Sequence, residues 1–176
     1  VNEDLVAVFE HNDIAVTLAS KEVCCGMPKL ELGDLDAVEK AKQANIPVLA
    51  ALVDAGWDIV TPIPSCTLMY KQELPLMFPD DPDVLKVRDA MFDPFEYLML
   101  RHKDGLLKTD FKAPLGKIAY QVPCHLRVQN LGLKTKAALE LVPDTSVDAI
   151  ERCSGHDGTY AVKKEYYEIS KKIARP

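Results

Sequence analysis

The feature that most constrains this chain is a recurring juxtaposition. Short β-branched runs each stop at a turn that carries cysteine, and helix-like stretches lie between them. Residues 14–19 precede Cys24 and Cys25, residues 57–63 precede Cys66, residues 117–122 precede Cys124, and residues 146–151 precede Cys153. Strands alternating with helices imply a parallel sheet covered by helices. In open α/β sheets, ligand sites gather outside the carboxyl ends of the strands. The expected fold is therefore α/β, with its cysteines at strand carboxyl ends.

Helical spacing of Leu5, Val6 and Phe9 predicts a helix over 2–12. Asp34 is placed to cap a helix over 35–44, which Pro47 separates from a second over 48–55 ended by Gly56. Residues 75–94 hold Pro75, Pro79, Pro82 and Pro94 and read as irregular, with a short helix near 83–91. Further helices are expected over 95–103, over 131–142 before Pro143, and over 160–173. Residues 104–116, with Gly105, Pro114 and Gly116, read as a linker. That linker divides the chain into a first cysteine-rich lobe, 1–104, and a second, 105–176. A length of 176 residues suits one domain or two such small lobes.

Charge narrows the function. The net charge is -6, without the basic stripe of a nucleic-acid-binding module. Lys163, Lys164, Lys171, Lys172 and Arg175 read as the solvated face of the last helix. No apolar run approaches the ~20 residues a membrane span requires. The start, Val-Asn-Glu-Asp, puts acid where a signal peptide carries its basic region. A cytoplasmic, reducing setting is expected, in which cysteines bind metal or react instead of pairing.

There are five cysteines. Adjacent Cys24 and Cys25 seldom pair with each other, because the short ring strains the disulfide. As ligands, two neighbouring thiolates can serve two metal atoms of one cluster, and Gly26 lets the backbone turn beside them. Thiolates are soft donors that favour iron–sulfur clusters, zinc or cuprous copper. Taken singly, each cysteine has an ordinary reading as a small buried hydrophobe. His125 and His156 each neighbour a ligand-type cysteine and can bind metal, bond a sulfur or carry a proton. Ser154-Gly155-His156-Asp157 is no hydrolase triad, since triad members converge from separate segments. Gly155 and Gly158 can instead expose amides ahead of a helix. Asp80, Asp81 and Asp83 lack the calcium-loop pattern and read as a solvated acidic turn. Trp57 and the tyrosines 160, 166 and 167 are expected to pack one lobe on the other. A faint repeat aligns Cys24-Cys25-Gly26-Met27-Pro28 with Cys153-Ser154-Gly155-His156-Asp157. Pro64-Ser65-Cys66 and Pro123-Cys124-His125 are both strand-ending segments, at non-equivalent places in that repeat.

These motifs, with the run ERCSGHDGTYAVKKE at 151–165, resemble the cysteine-rich CCG-domain family of iron–sulfur oxidoreductases. The B subunit of heterodisulfide reductase and the C subunit of anaerobic glycerol-3-phosphate dehydrogenase belong to it. The resemblance implies two pseudo-repeated, Rossmann-like lobes with parallel sheets. It implies an iron–sulfur cluster (4Fe-4S, non-cubane in some members) held by Cys24, Cys25, Cys66, Cys124 and Cys153; His125 and His156, as neighbours of these cysteines, would lie around it. It also implies electron transfer between a flavoprotein dehydrogenase or other redox subunit and a quinone or disulfide acceptor. The protein would then reach the inner membrane face only through a partner. Departures from the pattern are plain. The expected CxxC reads Cys66-Thr67-Leu68-Met69, and the second CCG reads Cys153-Ser154-Gly155. One further cysteine is expected just before Val1 and another beyond Pro176, so the chain reads as a fragment. Two alternatives stand beside this reading: a structural zinc or protein-interaction domain, and a thiol enzyme using Cys24 or Cys25 as nucleophile.

Overall fold

The computed structural model describes residues 2–21, 23–156, 161 and 163–175. Helix α1, Asn2–His11, opens the chain, with Glu3 and Asp4 in its first turn and His11 in its last, charges that suit the helix dipole. Residues 14–19 form no strand: they run on without a ladder partner, and Leu18 is largely exposed. Branched residues favour extension, but only a neighbouring strand completes the hydrogen bonds. Cys24 and Cys25 therefore do not follow a strand, contrary to expectation.

Gly26 caps the short helix α2, Met27–Glu31, and Asp34 caps α3, accepting from the Ala37 amide at 3.2 Å. Helix α3, Leu35–Asp54, is continuous through Pro47. A mid-helix proline costs about 3 kcal/mol through the lost bond to the carbonyl four residues back. Burial of Val38, Ile46 and Ala50 along one face offsets that loss and keeps the two expected helices joined.

Strand β1, Ile59–Val60, leads into a single long helical run. It comprises α4, Pro64–Leu68, a π-helical stretch over Met69–Glu73, and α5, Leu74–Met77. Its wide turn has an identifiable cause. Pro75 has no amide to donate, and the Leu74 amide reaches back five residues to the Met69 carbonyl. The helix expected near 83–91 is α6, Pro82–Asp89, and the stretch read as otherwise irregular also holds β2, Met91–Phe92. Asp81 caps α6 by accepting from the amides of Asp83 and Val84 and also pairs with Lys42, so one acid of the turn is structural. β1 and β2 pair in parallel, Ile59 opposite Met91.

Helix α7, Pro94–Lys103, starts at a full capping box between Asp93 and Glu96. Residues 104–115 hold no helix or strand. Strand β3, Gly116–Gln121, then pairs in parallel with β4, Thr145–Ile150. Helices α8, Cys124–Arg127, and α9, Lys134–Leu139, lie between them. A 3₁₀ turn at Lys164–Tyr166 leads into α10, Tyr167–Ile173. The expected start of that last helix at residue 160 lies outside the described residues, as do Asp157 and Gly158. Tyr167 is half exposed, with the Lys171 ammonium over its ring.

The architecture is thus mixed, with two small parallel sheets of two strands each. The main core gathers Cys25, Met27, Val38, Met69, Tyr70, Leu74, Val84, Val87 and Met91. Helix α4 packs on α8, and α7 on α9. Among the described residues no helix is long and apolar enough to cross a membrane.

Candidate functional site

Three features hold the first cysteine turn. Gly26 adopts a left-handed backbone, φ +95°, which an L side chain rarely takes. A Cβ there would stand 3.3 Å from the Ala41 Cβ and 3.7 Å from the Met69 Cε, so glycine is also what lets this turn lie against α3. Asn45, buried on the inner face of α3, donates to the Cys24 carbonyl at 3.1 Å. Cys25 follows at 6% exposure, while Cys24 remains exposed.

Cys66 lies in the first turn of α4. Thr67, fully buried, ties that turn to the exit of β1, its hydroxyl 2.7 Å from that of Thr61. The Cys66 and Cys25 thiols act on each other. The Cys66 sulfur accepts from Cys25, which together with burial pushes the Cys25 thiol far up; the same interaction draws the Cys66 thiol down. Cys24 is a close neighbour of both and acts on each. Tyr70, one helical turn beyond Cys66, is raised by burial and then by Cys25, Cys66 and Cys24 in turn. The first-half cysteines therefore share one partly enclosed corner with a buried phenol. Met69, at the position where a CxxC would put its second thiolate, is fully buried beside them.

The later cysteines are differently placed. β3 and β4 run in parallel with Gln121 opposite Ile150, so Cys124 and Cys153 leave adjacent strands at the same end. Both are exposed. The Gln121 side chain bonds the Arg152 carbonyl at 3.0 Å and so joins the two strand ends. The Gly155 amide donates to the Cys153 sulfur at 3.4 Å. Gly155 repeats the left-handed turn of Gly26, φ +74°, and its own Cβ would strike the Ser170 carbonyl of α10 at 2.4 Å. Ser170 in turn donates to the Gly155 carbonyl at 2.6 Å. His156 is exposed.

The two halves meet where α4 packs on α8. Ser65 and His125 are hydrogen bonded there, and buried Gln129 donates to the carbonyls of Pro64 and His125. Its own Oε1 has no protein partner among the described residues.

As a donor set, the soft thiols of Cys24, Cys25 and Cys66 suit metal–sulfur ligation. Among the described residues no three His, Cys, Asp or Glu side chains close around a point as a single-ion site. All five thiols are free of disulfides. Sequence reasoning missed Tyr70 and Asn45. Tyr70 stands four residues after Cys66, a helical neighbour. Asn45 stands seven after Val38, an amide where the helical period puts a core side chain.

Residues 1–71 match the family model described as a cysteine-rich domain, CCG. The C subunit of anaerobic glycerol-3-phosphate dehydrogenase from Escherichia coli is 29% identical over 178 residues, covering all of this chain and 44% of that protein. Lactate utilization protein A from Bacillus cereus is 31% identical over 173 residues, covering 93% of this chain and 68% of that protein. The same protein from Bacillus cytotoxicus is 30% identical over equal shares. The chain spans about half the length of the first of these relatives, 44%. No solved structure matches.

Proposed function

We propose that this chain, which belongs to the cysteine-rich CCG-domain family, is the electron-transfer part of an iron–sulfur dehydrogenase complex. It would pass electrons from a flavoprotein-type donor to a quinone or disulfide acceptor, in the cytoplasm or at the inner membrane face through a partner. The ligands proposed are Cys24, Cys25 and Cys66 from the first lobe, 1–104, and Cys124 and Cys153 from the second, 105–176. His125 and His156 flank them. The observation that carries the reading is the shared corner of Cys24, Cys25 and Cys66 against buried Tyr70.

Two further points support it. The turns at Gly26 and Gly155 share a left-handed backbone pressed against a helix, which supports a repeat of the cysteine turn in the two halves. Several soft thiolates brought to one corner are the donor type that iron–sulfur clusters take, 4Fe-4S, cubane or non-cubane, being the form proposed here. When bound, such a cluster supplies a one-electron carrier.

The chain's own residues prepare the place. Asn45 fixes the Cys24 carbonyl, and Thr67 fixes the turn bearing Cys66. Burial of Cys25, Met69 and Tyr70 closes one side against water. Cys25 keeps its proton in the free thiol state, so ligation there must displace it.

Anaerobic purification with assays of iron and acid-labile sulfide tests the proposal. Both are expected, and Cys25→Ser and Cys66→Ser should each reduce them. Absence of both from reconstituted wild-type protein ends the reading, and stoichiometric zinc without iron would put a structural zinc domain in its place.

A further inference from the structure

Three segments far apart in the sequence meet at one polar seam. The Ser65 hydroxyl, beside Cys66, lies 2.6 Å from His125 Nδ1. Nε2 of the same ring lies 3.4 Å from Glu31 Oε1, at the end of the short helix that follows Cys24-Cys25-Gly26. Four residues on from His125, Gln129 donates to the Pro64 carbonyl at 3.1 Å and to the His125 carbonyl at 2.6 Å. One imidazole thus touches the motif helices of both Cys25 and Cys66, while its own backbone continues from Cys124.

We infer that His125 is a positioning residue that sets Cys124 against the Cys24–Cys25–Cys66 corner. The inference rests on the proposed function for its purpose, though not for its geometry. Each ring nitrogen already faces an oxygen, one on Ser65 and one on Glu31. With both nitrogens turned to protein oxygens, the ring acts through the segments it holds. Residues 104–115, which join the two halves, contain no helix or strand to fix their relation. The packed contacts of α4 on α8 and α7 on α9 do so instead, and only the first lies at the cysteines.

The test uses Ser65→Ala, His125→Ala and the double variant, with His125→Asn as the conservative replacement, because its amide can occupy the place of Nδ1. In metal-free protein, denaturant unfolding of the three Ala variants forms a double-mutant cycle. Ser65 and His125 are expected to be coupled, and additive effects overturn the strut whatever the iron content. In loaded protein, His125→Ala is expected to lose iron to a chelator with an affinity lower by about 10-fold or more. It should also alter the cluster's electron paramagnetic resonance spectrum. His125→Asn is expected to restore both. Coupling without any change in iron retention or spectrum, or no rescue by Asn, overturns the positioning role. Wild-type protein that takes up no iron defeats the functional reading instead, and the metal-free cycle still reports on the seam.

Discussion

Cys25 is sunk in the main core beside Val38, Met69 and Tyr70, whereas Cys124 and Cys153 stand exposed at the end of a two-stranded sheet. The first region has a twenty-residue helix, α3, to lean on. In the second, the buried apolar side chains among the described residues are Val122, Leu126, Val142 and Val147. Both regions nevertheless make the same left-handed glycine turn after cysteine. The local turn is therefore compatible with very different surroundings, and it is packing around the turn that decides how firmly a thiol is held.

Substitutions can break or sharpen this contrast. The largest effect is expected from Met69→Ala, which empties a fully buried site and should cost about 2–5 kcal/mol in denaturant unfolding. Leu126→Ala, in the second region, should fall near the bottom of that range, about 2 kcal/mol. Equal losses would erase the distinction between the two regions. Gly26→Ala should cost about 1–2 kcal/mol for its left-handed backbone alone. Gly155→Ala meets the harder obstacle, the Ser170 carbonyl. It should show as faster hydrogen exchange confined to α10, because a short helix can lift away. Global destabilisation by Gly155→Ala would mean that the second region is as tightly built as the first.

Lys71→Met removes a partly buried cation whose Nζ lies 2.9 and 2.7 Å from the two Glu96 oxygens. The expected loss is about 1–3 kcal/mol, read by the same unfolding assay. Alkylation of metal-free protein should modify Cys124 and Cys153 before Cys25, whose thiol is buried and held protonated. Mass mapping that found Cys25 first would reverse the comparison.

The smallest effect concerns pH. Lys42 beside Asp81 holds its carboxyl below the usual carboxylate range. A folded value below the unfolded one gives stability that is present above the ordinary carboxylate pKa and lost as pH falls through the lowered value. Asp81→Asn should therefore flatten the acid limb of the stability curve, by at most about 1 kcal/mol for a pair this close to solvent. An unchanged acid limb would show that this contact between α3 and the α6 cap adds nothing to the first region's firmness.

How much of this was legible in the sequence depends on range. Asp34 as a cap, the helix ending at Lys103 and the strands on either side of α8 and α9 follow from local pattern. The strand expected over 14–19 fails because no local pattern supplies its partner. The break expected at Pro47 fails because burial along the whole of α3 outweighs one lost hydrogen bond. β2 was hidden, since two residues, Met91 and Phe92, carry no period and their pairing with β1 is purely tertiary. Cysteine types and spacing pointed to the corner formed by Cys24, Cys25 and Cys66. Its lining by Tyr70 and Asn45 depends on how α3 and the long helix after β1 approach each other. The bond from Ser65 to His125 spans sixty positions, which no motif of one segment encodes.

The wide turn at Met69–Glu73 has a consequence for sequence length. It accommodates one residue more than an ordinary helix over that rise, and each residue turns the helix by about 100°. That excess lets a single rod present Cys66 and Tyr70 toward the thiols, Lys71 toward Glu96 and Leu74 toward the core. Deleting a single residue between Tyr70 and Leu74 would make the rod more regular and yet swing its later contacts off their targets. Insertions and deletions there should be far less tolerated than in residues 104–115.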